Sequence, residues 1–114
     1  MELVLFNLLQ NASIYTPVNT KITISSRLEG HEFVLDVMDE GPGFPEESKI
    51  VAFDKFFRLP HSKTGGTGLG LSIVKGVVEA HGGTVILENR PEGGAKFSIR
   101  IPAEISYMNT LKHE

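Results

Sequence analysis

With 114 residues, 40% hydrophobic and 22% charged, the chain has the composition of an ordinary globular protein, long enough for one core and too short for two. Its formal charge of -3 supplies no basic footprint for nucleic acid or for an anionic membrane surface, so neither is expected as a partner. The absence of cysteine excludes a disulfide framework, a thiolate nucleophile and thiolate zinc sites. No apolar run reaches the roughly 20 residues of a membrane span, and no charged leader precedes an apolar stretch.

Leu3, Val4, Leu5, Leu8 and Leu9 follow Met1 directly and, with Ala12, recur at the spacing of an amphipathic helix that Pro17 ends. No Ser, Thr, Asp or Asn stands ahead of this helix as an N-cap, and the chain is expected to begin inside a larger protein. Ile22, Ile24 and Leu28 then alternate with polar residues, as do Phe33, Leu35 and Val37 beyond Glu29-Gly30, which predicts an antiparallel strand pair. Between Glu40 and Gly66 the periodicity gives way to Gly, Pro, Ser and charge around Phe53, Phe56 and Phe57. So long a loop is expected to be a lid or binding loop, or else disordered.

Leu69, Ile73, Val74, Val77 and Val78 mark a second helix, closed by His81-Gly82-Gly83. Val85 and Leu87, then Phe97, Ile99 and Ile101, predict two final strands about the turn Pro91-Glu92-Gly93-Gly94. The order α-β-β-lid-α-β-β predicts an α+β fold, a sheet with helices on one face. The tail from Ala103 to Glu114 is mostly polar and expected to be loosely held.

Asn7 and Asn11 lie four apart on the first helix and share a face, which Tyr15 continues one turn on. Their amide oxygens could ligate Mg²⁺ and their NH₂ groups donate to phosphate; a pair of solvated surface amides is the plain alternative. Asp39 continues the parity of Phe33, Leu35 and Val37, so it should point to the buried face, where a carboxylate needs a partner. The chain next turns through Gly41-Pro42-Gly43, whose two glycines permit close approach of a flat ligand. A purine amino group would satisfy the carboxylate, and a solvated turn Asp is the alternative. Gly66-Thr67-Gly68-Leu69-Gly70-Leu71 opens the second helix, where backbone N–H groups and the helix dipole favour an anion such as phosphate. It is neither a Walker loop nor a dinucleotide fingerprint, since no Gly-Lys-Ser/Thr ends it and a lid precedes it in place of a strand. A flexible hinge is the alternative.

In this order the segments resemble the catalytic domain of sensor histidine kinases, within the ATPase family shared with gyrase-type enzymes and certain heat-shock chaperones. Asn7-Leu8-Leu9-Gln10-Asn11-Ala12 resembles its N box, Asp39-x-Gly41-x-Gly43 its first glycine box, Phe53-Asp54-Lys55-Phe56-Phe57-Arg58 its F box, and Gly66 to Leu71 its second glycine box. Gly93-Gly94 with Phe97 is a weaker third glycine box. The match runs to Pro102. It implies a two-layer α/β sandwich with a mixed sheet and an ATP lid, forming a domain over residues 1–102 that lacks the strand and helix start usually found before the N box, with 103–114 as a tail.

The resemblance further implies ATP and Mg²⁺ as ligands. Asp39 would take the adenine amino group, Asn11 the Mg²⁺, and Asn7 the phosphates; Tyr15 would line the adenine pocket, and the loop before Gly68 would close over the phosphates. Arg58 is expected to reach the γ-phosphate. Ile14 stands where many relatives carry Lys or Arg, and Ala95 where Thr commonly helps hold adenine. The implied partners are a dimerisation domain carrying the phosphoacceptor histidine, and a response regulator. The implied setting is a cytoplasmic domain whose parent sits in the bacterial inner membrane. The turn Asn89 to Ala95 looks like that of potassium-responsive sensor kinases.

Three alternatives stay within the fold. A gyrase or mismatch-repair type hydrolase would need a carboxylate at Asn7 to activate water. An anti-sigma-factor serine kinase would not be expected to carry Phe53, Phe56 and Phe57. A non-catalytic nucleotide-binding module is the third. None of His31, His61, His81 and His113 looks like an acceptor displayed on a long helix, so the isolated chain is expected not to phosphorylate itself.

Overall fold

The computed structural model describes residues 2–17, 19–57 and 68–103, with the backbone alone at 13–15. Its elements are α1 (Glu2–Tyr15), β1 (Ile22–Glu29), β2 (Glu32–Asp39), α2 (Glu46–Val51), α3 (Gly70–Ala80), β3 (Thr84–Asn89) and β4 (Ala95–Pro102). The α+β arrangement is the expected one. The expectations placed on residues 58–67 and on the tail beyond Ala103 lie outside the described residues.

The four strands form one sheet in the order β1-β2-β4-β3, every ladder antiparallel. A mixed sheet needs a parallel pair, and none forms among the described residues, which corrects that part of the expectation. β2 and β3 do run the same way, because α3 returns the chain to the far end of the sheet before β3 begins. β4 then lies between them and pairs antiparallel with both.

Strand alternation sorts the two faces. Leu35 and Val37 of β2, Leu87 of β3, and Ala95, Phe97 and Ile99 of β4 are buried together with Val4 and Leu8 of α1 and Leu71, Val74 and Val78 of α3 in one cluster. The helical positions recur three and four apart, so each helix lays one apolar stripe into the core. α1 packs on α3, and α3 on β3 and β4. Leu3 and Phe6 fall outside the Val4-Leu8-Ala12 stripe and are exposed, so α1 is less one-sided than its leucines suggest. β1 is an edge strand, only its first residue partly buried.

The opposite face is polar and tied by charge. Arg27 pairs with Asp36 at 2.8 Å, Ser98 donates to the same carboxylate at 2.7 Å, and Arg100 reaches Glu29 and Glu32 at 3.2 Å each. Burial opposes charge on Asp36, but the hydrogen bonds from Arg27 and Ser98 outweigh it and hold the carboxyl below its ordinary range. Val34, fully buried, stands between Arg27 and Arg100 in the ladder register, where long apolar stems can shield it.

α2 is absent from the sequence reading. Six residues are under two turns, too few for a periodicity to register; its signal is Pro45 ahead of Glu46 and Glu47, with Lys49 paired back to Glu46 at 3.0 Å. α3 ends as its Gly-Gly pair predicts. Gly83 N–H donates to Val78 O and Gly82 N–H to Glu79 O, both at 3.0 Å, the two bonds that close a helix through a left-handed glycine.

Candidate functional site

Asp39 ends β2 on the core-facing side, 8% exposed, as the parity of its strand requires. Its Oδ1 accepts the backbone N–H of Gly41 at 2.9 Å and of Ala95 at 3.2 Å. Oδ2 accepts from no described residue. The carboxylate is thus oriented by two backbone donors, one two positions and the other 56 positions further along the chain, both on Oδ1. Ala95 acts here through its N–H, so the absence of a Thr side chain at that position does not disturb this bond.

Gly41 and Gly43 form the turn after Asp39, and the β3–β4 turn packs directly beneath it. Gly43 (φ +77°) lies so near Asn89 that a Cβ would stand 2.6 Å from the amide Oδ1. Gly94 (φ +99°) lies on the Asp39 carbonyl, and a Cβ there would overlap the oxygen. Both positions therefore require glycine for conformation and for space. Phe44 next turns its ring edge-on to Phe97, centroids 6.0 Å apart, and Phe53 does the same at 6.2 Å. The aromatic cluster of the sequence is thereby divided: Phe53 and Phe57 pack on the core while Phe56 is exposed, with φ at +66°.

The second half of the site is made by one face of α1 and the start of α3. Asn7 is 7% exposed, and its Nδ2 donates to Leu3 O at 2.8 Å. Its Oδ1 borders the first residue of α3, where a Cβ on Gly70 would stand 3.3 Å away. Asn11, one turn on, is half-buried. The first bond of α3 runs from Ile73 N–H to Leu69 O at 2.9 Å, so the N–H groups of Gly70, Leu71 and Ser72 have no carbonyl within the helix to donate to. Leu71 sends its side chain into the core, which leaves only its backbone for a ligand. Gly68 O accepts Phe56 N–H at 2.6 Å, which ties the start of this turn to the residue after Lys55.

α1 spans both halves. Asn7, midway along it, borders α3, and buried Thr16, just past its C-terminal end, borders Gly41; nine residues separate them, about 13 Å along a helix axis. Of the expected site residues, Arg58 and Thr67 lie outside the described residues, and Tyr15 is described by its backbone alone. Among the described residues no three His, Cys, Asp or Glu side chains stand together as a metal cage. A hard cation there would have to be held largely by a ligand's phosphates and water, which is how Mg²⁺ ordinarily sits, and the single amide oxygen of Asn11 fits that donor set. Asn89 and Arg90 carry no sequence signal for the site, and Gly94 only that of a weaker third glycine box; the turn-forming Arg90-Pro91-Glu92-Gly93-Gly94 marks a bend but not what the bend supports.

The chain matches the family of histidine kinase-, DNA gyrase B-, and HSP90-like ATPases over residues 1–105. The sensor protein KdpD of Escherichia coli (strain K12) is 45% identical over 104 residues, 90% of this chain but 12% of that protein. The catalytic domain of the histidine kinase ThkA superposes with a TM-score of 0.75 at 44% identity, covering 87% of this chain and 63% of that one. ThkA in complex with the response regulator protein TrrA superposes at 0.72 with 38% identity, covering 89% of this chain and 28% of that one. No helix among the described residues is long and apolar enough to cross a membrane. In sequence and in fold alike, the chain belongs to the histidine kinase-, DNA gyrase B- and HSP90-like ATPases, as a catalytic ATPase domain of the sensor histidine kinase kind.

Proposed function

We propose that the chain binds Mg-ATP between the Asp39 loop and the first turn of α3 and donates its γ-phosphoryl group to a histidine on a separate dimerisation domain, for relay to a response regulator. The observation that carries the reading is the Asp39 carboxylate, buried and oriented by the Gly41 and Ala95 N–H groups on Oδ1, with no described residue donating to Oδ2; Oδ2 would take the adenine amino group. Asn11 would ligate the Mg²⁺, Asn7 and the N–H groups of Gly68 to Leu71 would hold the phosphates, and Tyr15 would line the base; Arg58 and Thr67 complete the set. The acceptor's imidazole nitrogen would attack the γ-phosphorus in line as the bond to the bridging oxygen breaks and ADP leaves. The chain's own contribution is to position the triphosphate and spread its charge over fixed donors.

Asn7 separates this reading from water-activating ATPases, because an amide cannot take a proton from water. The resemblance of the turn from Asn89 to Ala95 supports a parent of the potassium-responsive kind, anchored in the inner membrane. Incubation with γ-labelled ATP tests the division of labour. The chain alone should stay unlabelled, since His31 lies in the β1–β2 turn and His81 caps α3 with Nδ1 2.8 Å from Val77 O. Adding the parent's dimerisation domain should place acid-labile phosphate on that domain. Stoichiometric acid-labile label on the chain alone would contradict the proposal.

A further inference from the structure

The turn between β3 and β4 makes contacts that the core does not require. Asn89, the last residue of β3, treats Phe44 as a neighbouring strand would: its Oδ1 accepts Phe44 N–H at 2.8 Å and its Nδ2 donates to Phe44 O at 2.7 Å. Only a side-chain amide offers a neutral acceptor and a donor side by side in this way. Arg90 donates from one guanidinium nitrogen to Asp39 O at 2.8 Å and pairs through the other with Glu92 at 2.8 Å. Its backbone N–H closes the turn on Gly94 O at 2.8 Å. The loop from Asp39 to Phe44 is therefore gripped at both ends by two consecutive residues.

We propose that Asn89 and Arg90 are positioning residues for nucleobase recognition, setting Asp39 Oδ2 and the Gly41–Gly43 backbone before the nucleotide arrives. The inference rests on the reading that Asp39 takes the adenine amino group. A loop with two glycines has much backbone freedom to lose, and ordering it in the free protein removes that cost from binding. The Phe44 ring is held independently, buried and edge-on to Phe97. Loss of the clamp should accordingly loosen the loop without opening the core.

The test measures dissociation constants for Mg-ATP and Mg-GTP, whose base carries a carbonyl where adenine has its amino group, together with melting temperature. The chain should prefer ATP. Asn89→Ala should weaken ATP about three- to thirtyfold through two lost hydrogen bonds, weaken GTP less, and so narrow the preference. Asn89→Asp keeps the acceptor for Phe44 N–H but cannot donate to Phe44 O, and should fall between. Arg90→Met should narrow the preference as well, and with Asn89→Asp it decides the matter should Asn89→Ala fail to fold. A scaffold role would lower the melting temperature and scale both nucleotides alike; an unchanged preference in the folded variants overturns the proposal. Asp39→Asn separates the two levels. If it narrows the preference while the Asn89 and Arg90 variants do not, adenine recognition by Asp39 stands and the positioning role falls. If it leaves the preference unchanged, or if the unaltered chain does not prefer ATP, both fall.

Discussion

The two halves of the candidate site are built by different means. Around Asp39, apart from the local bond from Gly41, the hydrogen bonds join residues 45 to 56 positions apart, so the geometry exists only once the sheet is complete. Around Asn7 the hydrogen bonds are local, though Asn7 also borders Gly70: an amide bonded four residues back along its own helix, and a helix start whose donors come from backbone geometry. The first half is a platform that only disruption of long-range contacts can move. The second is a set of groups that single substitutions should alter without disturbing the fold.

The largest effect is expected where the platform itself is struck. Gly94→Val puts a branched side chain at φ +99° into the Asp39 carbonyl, and should destabilise the chain by roughly 2–4 kcal/mol in chemical denaturation while removing ATP binding. Retention of both stability and binding would mean that the close packing of the two turns is not needed. Asp39→Asn keeps the shape and removes the charge. A hydrogen bond to a charged group contributes roughly 1.5–3 kcal/mol, so ATP should bind about ten- to a hundredfold more weakly, with the melting temperature little changed, and calorimetry reads both.

The outer face of the sheet supplies a control that should affect stability and leave the site alone. Asp36 is held below its ordinary carboxylate range, so as acid is added the unfolded chain takes up its proton first. The stability this group supplies is complete above the unfolded value of about 3.9 and is lost as pH falls through the lower folded one. Asp36→Asn should cost about 1–2 kcal/mol near neutral pH, Arg27 being partly exposed, and should flatten the acid limb of a stability–pH curve. ATP affinity should not change. A parallel loss of affinity would show that the outer face and the site are coupled, and would blur the distinction between platform and scaffold.

The same contrast explains what could be read from the sequence. Asp39 was legible because strand parity alone sends it inward, and the second glycine box because a helix start is a local event. Asn89 was not, since an amide bonded to the backbone of a residue 45 positions earlier leaves no spacing to recognise. The placing of β4 between β2 and β3 was likewise hidden, because periodicity identifies strands and not their neighbours. Leu71 shows the converse: it belongs to the glycine motif, yet its side chain is spent on the core.

In the proposed site adenine lies beside Asp39 at the end of the sheet and the phosphates at the start of α3. Backbone amide chemical shifts of the ¹⁵N-labelled chain, followed through titration with ATP with and without Mg²⁺, test it most directly. ATP should shift Gly41, Gly43 and Ala95 together with Gly68 to Leu71, and Mg²⁺ should add a further shift centred on Asn11. Shifts confined to other parts of the chain, or none at saturating ATP, would contradict it.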